Sequence, residues 1–188
     1  MKTSGSAENS NAPVEPGAGV SRCTAVVVGL GLWVVAIPLA HGVVPWVISL
    51  IGARHGWAAG QPHLWNLLGL VPVALGLAGL ASVMVTGLAS VSQLPDRLKL
   101  GLTPIHLLTS GPFAWSRNPM YVSQLTVWVG WSLFYGSVAV AAVCPVLWVL
   151  VTYIIVPREE RSLAACFDET YLRYKQQVHR WLGKRRNS

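Results

Sequence analysis

The stretch SGPFAWSRNPMYVSQLTVWVGWSLFY, residues 110–135, decides how this chain is built. It opens on a Gly-Pro turn, passes through Arg117, Asn118 and Pro119, and then runs apolar to Tyr135. Proline is well tolerated in the first turn of a helix, where its missing N–H would have had no partner. The reading is therefore a helix that starts near Asn118 behind a polar threshold. The sequence FYGSV that follows predicts a tight helical hairpin turned at Gly136.

Working outward, three more apolar segments appear: Cys23 to Ile51, Leu64 to Val91 and Ser137 to Val156, with Tyr121 to Phe134 as the apolar part of the opening stretch. Across 188 residues, 53% are hydrophobic and only 11% charged, where a soluble domain carries about 25% charged residues. The fold class is thus all-α: a polytopic membrane protein with about four transmembrane helices. Lys2 and Arg22 precede the first span, Arg97, Lys99 and Arg117 lie between the second and third, and eight Arg or Lys residues from Arg158 to Arg186 follow the fourth. The other side has little more than Arg54. The positive-inside rule then places both termini and the long middle loop in the cytoplasm. The net charge of +7 sits beside membrane entry points rather than in a separate basic domain. It suits an anionic leaflet and excludes a nucleic-acid-binding reading. Cys23, Cys144 and Cys166 are odd in number and widely spaced, so neither a disulfide framework nor a metal site is predicted. Nothing in the sequence specifies an oligomeric state.

Residues 1–20 are Ser-, Gly-, Asn- and Pro-rich and predict a disordered tail; residues 21–188 form a single membrane domain. In the first span, Pro38 and Pro45 flank His41 and predict a kink. His41 is either a functional intramembrane group or a neutral ring bonded to a carbonyl freed by the neighbouring proline. In the second span Ala74, Ala78, Ser82, Thr86 and Ser90 form a stripe of small side chains that would let another helix approach closely. The loop that follows carries Leu98, Leu100, Leu102, Ile105, Leu107 and Leu108, a regularity that predicts order against the membrane face.

After the fourth span comes PREERSLAACFDETYLRYKQQVHR, residues 157–180. Leu163, Phe167, Tyr171 and Tyr174 follow helical spacing and predict a cytosolic amphipathic helix. This segment holds the only paired carboxylates in the chain, with Glu159 and Glu160 placed where the fourth helix emerges. One reading makes them a solvated pair bridged to Arg158 or Arg161. The other uses the hairpin: its two ends return to one surface, which brings Glu159 and Glu160 to Arg117, Asn118 and Tyr121.

GLTPIHLLTSGPFAWSRNPMYVS resembles the glycine-proline-aromatic and Arg-(His or Asn)-Pro-x-Tyr signature of the isoprenylcysteine carboxyl methyltransferase and phospholipid methyltransferase superfamily. REERSLAACFDETYLRYKQQVHRW resembles its second signature, a Glu-Glu pair, then Phe-Gly-x-x-Tyr-x-x-Tyr and a terminal Val-x-Arg. The two stand in family order around a hydrophobic hairpin and occupy residues 100–181. Asp168 replaces a common glycine, Asn118 replaces the histidine of one branch, and Ser123 replaces a small glycine. The resemblance implies S-adenosylmethionine as cofactor, entering from the cytosol, and a lipophilic acceptor (carboxylate, amine or thiol) entering from the bilayer. It implies that Arg117 holds the cofactor carboxylate and that Glu159 or Glu160 accepts from its ammonium or ribose hydroxyls. Asn118 would bond the amino-acid moiety, Tyr121 and Tyr171 would form a wall, and Pro119 would set the helix angle. Catalysis falls to Arg117 and Glu160. Trp128, Trp131 and Trp148, the small stripe and the kinked span would line the lipid entrance, and Trp181 with the GKRR end would anchor at the membrane surface. Two other functions compete: an NADPH-dependent sterol or isoprenoid reductase, and a nonenzymatic lipid-binding adaptor.

Overall fold

The computed structural model describes residues 20–91, 97–98 and 106–183. The expected tail (as far as residue 19), most of the leucine-rich loop and the basic end after Gly183 lie outside the described residues. The chain is mostly helical. A two-residue strand β1 (Val20–Ser21) leads into α1 (Arg22–Pro38), a π-helical turn (Leu39–Val43) and α2 (Val44–Ser49). A small hairpin of β2 (Trp57–Ala58) and β3 (Gln61–Pro62) precedes α3 (Leu64–Leu67) and the long α4 (Leu70–Val91). Then follow β4 (Arg97–Leu98), a 3₁₀ turn at Gly111–Ala114, α5 (Pro119–Tyr135), α6 (Val138–Leu150), a second π-helical turn (Val151–Ile155) and α7 (Val156–Gln177).

Short contacts tie the helices together at two ends of the molecule. At one end β1 pairs antiparallel with β4, so the start of α1 meets the exit of α4. At the other, the His55 N–H donates to the Gly136 carbonyl (2.9 Å), which ties the 50–63 loop to the α5–α6 turn. Two of the helical stretches, Leu64–Ser90 and Val138–Gln177, are long and apolar enough to cross a membrane; Trp33–Ser49 is a shorter apolar helix. Gly136 turns the predicted hairpin in the left-handed region (φ 56°), and a Cβ there would strike the His55 carbonyl. Asn66 is fully buried beside it. Its Nδ2 reaches the carbonyls of His55 (3.1 Å), Leu133 (3.2 Å) and Phe134 (3.0 Å), capping the end of α5.

The main contact between helices is α4 against α5, and within the chain it does not use the expected small-residue stripe. Ala74, Ala78 and Ser82 are exposed. The face that meets α5 instead carries Gly69, Val73, Gly76 and Gly79, and a Cβ on Gly76 would lie 2.6 Å from the Ser123 carbonyl. Gly130 answers from α5, where a Cβ would lie 2.7 Å from the Gly69 carbonyl. Backbones this close need glycine on both sides. Ser123, buried against Gly79, is a small residue for the same reason.

Both π-helical turns end two residues before a proline, Pro45 in one case and Pro157 in the other. A proline ring collides with the carbonyl four residues earlier and cannot donate to it, and widening the preceding turn relieves that collision. The carbonyl that Pro45 deprives is that of His41, and it accepts the indole N–H of Trp131. The proline-freed carbonyl is therefore satisfied by Trp131, and the His41 side chain, expected to bond it, leaves its buried Nδ1 without a partner.

The predicted amphipathic helix is continuous with α6 through the second π turn. Its backbone breaks at Asp168 (φ 40°, ψ −121°), a conformation suited to glycine. Beyond the break, Tyr171, Tyr174 and Val178 form a buried cluster with Leu107, Leu163 and Phe167. The apolar stripe thus packs on the protein's own loop.

Candidate active site

The polar threshold before α5 is held from two sides. Gly111, at φ +59°, brings the 3₁₀ turn so close to α4 that a Cβ would sit 2.7 Å from Thr86 Oγ1. From the other side, residues 178–183 lie across residues 115–118 as a strap. The Arg117 N–H donates to the His179 carbonyl (3.1 Å), and the Gly183 N–H to the Trp115 carbonyl (2.8 Å). Asn118 Nδ2 donates to the Arg180 carbonyl (3.0 Å), and its N–H donates to Ser116 Oγ (3.0 Å). The Tyr174 hydroxyl donates to the Phe113 carbonyl (2.7 Å), and burial pushes its pKa up to about 12, so it remains a donor.

This scaffold assembles a charged triad. Arg117 Nη1 lies 2.8 Å from Glu160 Oε1. Arg180 donates from Nε to the same oxygen (3.2 Å) and from Nη2 to Oε2 (2.8 Å). The Arg117 and Glu160 side chains are 7% and 9% exposed, whereas that of Arg180 is 36% exposed. The hydrogen bonds to Glu160 raise the pKa of Arg180, which keeps it charged. One carboxylate thus faces two guanidiniums, and Arg117 Nε is a buried donor without a partner. A buried N–H left without an acceptor costs about 1–3 kcal/mol. The arrangement therefore favours a further hydrogen-bond acceptor at Arg117 Nε. Next to the triad, the Tyr121 hydroxyl donates to Glu159 Oε1 (2.6 Å), and Glu159 is exposed, with carboxylate capacity to spare. Tyr171, almost fully buried, has its hydroxyl 3.5 Å from Arg117 Nη1.

Arg117, Asn118, Tyr121, Glu159, Glu160 and Tyr171, expected at one site from two remote segments, are therefore gathered at one end of the molecule. Pro119 is buried as the first residue of α5. The solvated reading of the acidic pair does not hold for Glu160, which is buried between Arg117 and Arg180; Arg161 instead donates Nε to the Pro157 carbonyl (3.1 Å). Arg180 was not among the expected site residues, although the Val-x-Arg of the second signature contains it. Trp181 is also repositioned. Half-buried, its ring lies 4.5 Å from that of Trp148 at a tilt of 35° and packs against Met120 and the Tyr121, Val151 and Val156 cluster.

Between α5 and α6 runs an apolar groove of roughly 480 Å³, lined by Val122, Leu125, Thr126 and Val129 on one side and Cys144, Pro145 and Trp148 on the other. Trp181 and Leu182 of the strap line it as well. Of the tryptophans expected at the entrance, only Trp148 lines this groove; Trp128 is buried and Trp131 is bonded to His41.

Long apolar helices, an Arg-Glu-Arg triad at one end and an apolar groove beside it fit a membrane-associated protein. The model of the family described as phospholipid methyltransferase matches residues 71–170, more than half of the 188. The chain belongs to that family, and is accordingly a membrane-associated methyltransferase for lipid-type substrates. An uncharacterized protein of Haemophilus influenzae is 38% identical over 64 residues, which is 34% of this chain and the whole of that relative. No solved structure matches.

Proposed function

We propose that this protein transfers a methyl group from S-adenosylmethionine to a lipophilic acceptor drawn from the bilayer, as a multi-pass enzyme whose triad end and both termini face the cytoplasm. The observation that carries the reading is the 2.8 Å ion pair between Arg117 and Glu160, which joins the two signature segments across 43 positions of sequence (160 less 117). The orientation is supported by the distribution of charge: Arg117, Arg158, Arg161, Arg173 and Arg180 lie toward the triad end and Arg54 at the other.

The residues present fit the cofactor. Arg117 Nε is a buried donor awaiting an acceptor, as a carboxylate site requires. With both Glu160 oxygens engaged by guanidiniums, Glu159 is the residue to accept from the ammonium or the ribose hydroxyls. Asn118, its amide N–H committed to the Arg180 carbonyl, offers its Oδ1. S-adenosylmethionine supplies an activated methyl on a sulfonium, so the protein's tasks are alignment and exclusion of water. Trp181, packed against Trp148 and the Tyr121 cluster, lines the groove on the side of the strap. A thiolate or carboxylate acceptor needs no base. An amine must shed a proton, and Glu159, exposed and held by Tyr121, is placed to take it.

The test is to incubate the purified protein in lipid nanodiscs with methyl-labelled S-adenosylmethionine and to extract the lipids. Label in the lipid fraction, reduced at least about tenfold by Glu159→Gln, is expected. No transfer, with NADPH consumed instead, would favour the reductase; no turnover and no ligand would favour the adaptor.

A further inference from the structure

At the end of the molecule away from the triad, half-buried Arg54 is held from three sides. Its backbone bridges to Ser137, Nε donates to the Ser49 carbonyl (3.1 Å) and Nη2 donates to Ser49 Oγ (2.6 Å). Ser49 is itself fully buried and donates to the Trp46 carbonyl (2.6 Å). Arg54 Cζ lies 5.1 Å from the ring centre of Trp57 and 5.1 Å from that of Tyr135. Those rings are fixed in turn: the Trp57 indole N–H donates to the Phe134 carbonyl (3.0 Å), and Tyr135 is buried. Ring stacking engages the face of a guanidinium and leaves its N–H edge free. Of the five N–H groups of Arg54, Ser49 takes two, and three remain for another acceptor.

The stretches that build this end, 23–91 and 118–156, contain none of the chain's seven acidic residues, so Arg54 brings a positive charge with no carboxylate to meet it there. Its depth says what supplies the anion. α5 runs from Pro119 beside the triad to Tyr135 beside Arg54, which is 17 residues. At 1.5 Å each they span about 25 Å, close to the roughly 30 Å of bilayer hydrocarbon. With the triad at one membrane surface, Arg54 stands at the headgroup level of the opposite leaflet. The loop that carries it leaves Leu50, Ile51, Leu64 and Trp65 exposed, an apolar and aromatic rim suited to that depth. We propose that Arg54, stacked on Trp57 and Tyr135, binds the phosphodiester of a glycerophospholipid in the leaflet away from the triad, with the exposed rim receiving the lipid's chains. One phosphodiester carries one negative charge, which neutralises Arg54, and its two free oxygens match the guanidinium fork. The assignment is independent of methyl transfer: the bound lipid would fix the molecule in the bilayer at the end remote from the chemistry.

The experiment follows hydrogen exchange in the 50–63 loop of the full-length protein in detergent, titrated separately with dioleoyl phosphatidylglycerol, dioleoylglycerol and inorganic phosphate. Phosphatidylglycerol is expected to slow exchange there saturably, at a midpoint about tenfold or more below that of dioleoylglycerol, the effect of a charge-assisted hydrogen bond. Arg54→Gln should bring the two midpoints together. Arg54→Lys, which keeps the charge but not the fork, should lose several-fold of the preference and decides the matter if the glutamine variant loses its helicity. Arg173→Gln, an exposed change on α7, should leave the preference intact, which separates this site from anionic lipid gathered elsewhere on the protein. Equal midpoints for the two lipids in the wild type, or a preference undiminished in the Arg54 variants, overturns the assignment. Protection of the same loop by inorganic phosphate alone would also overturn it, by making the ligand a free anion rather than a lipid.

Discussion

Replacing Glu160 by alanine would strand the Arg117 guanidinium, 7% exposed, beside that of Arg180 with no anion between them. Breaking a buried pair in this way costs about 3–5 kcal/mol. Replacing Arg117 by alanine is milder, because Glu160 keeps both hydrogen bonds from Arg180, which is over a third exposed and adapts to water; the expected cost is about 1–2 kcal/mol. In the double variant the buried carboxylate and the buried guanidinium are both gone, and Arg180 turns to solvent. Its cost should fall below the sum of the single variants by about 2 kcal/mol or more. The assay is reversible unfolding in mixed micelles, with helicity followed by circular dichroism and the four proteins compared as a cycle. Additivity within about 0.5 kcal/mol would mean that the two residues do not meet, and would refute the argument that the signature segments share one site.

Four other changes probe the scaffold. Asp168→Gly should stabilise by about 1 kcal/mol, measured in the same unfolding assay, by relieving a positive φ on a residue with a side chain. Gly136→Ala should destabilise by more than about 2 kcal/mol, since it adds both a left-handed strain and a collision with the His55 carbonyl. Asn66→Ala should cost about 2–3 kcal/mol and increase hydrogen exchange at the amides around the hairpin turn, because the carbonyls of His55, Leu133 and Phe134 each lose the amide donor that joins them, although Leu133 keeps the Gly136 N–H and Phe134 the Trp57 indole. Trp131→Phe keeps the aromatic packing but removes the N–H from the His41 carbonyl, and an expected loss of about 1–2 kcal/mol in the unfolding assay distinguishes that bond from burial.

Much of this fold can be read in advance because local chemistry dictates it. Pro119 marks a helix start and Gly136 a turn, each through its own backbone preference, and those two points return Glu159 and Glu160 to Arg117. Other features depend on which helix faces which, and composition does not carry that. The stripe from Ala74 to Ser90 and the seam from Gly69 to Gly79 are both rows of small residues; only the second meets α5, because Gly130 and Ser123 answer it there. Trp181 reads as an interfacial anchor from sequence, since nothing local reveals that the strap folds back onto Trp148. Arg180 escaped notice for the same reason: its partner Glu160 lies 20 positions away, on the far side of the break at Asp168. That break has a sequence signal, an aspartate standing where the resembling family has glycine.

The most direct measurement is calorimetric titration of the nanodisc-embedded protein with S-adenosylhomocysteine, set beside NADPH. A single site is expected for S-adenosylhomocysteine, weakened about tenfold or more by Arg117→Lys and by Glu159→Gln, each of which removes a charge-assisted hydrogen bond, with no heat from NADPH. Undiminished affinity in both variants, or binding of NADPH in its place, would contradict the claim that these two distant segments form the cofactor site.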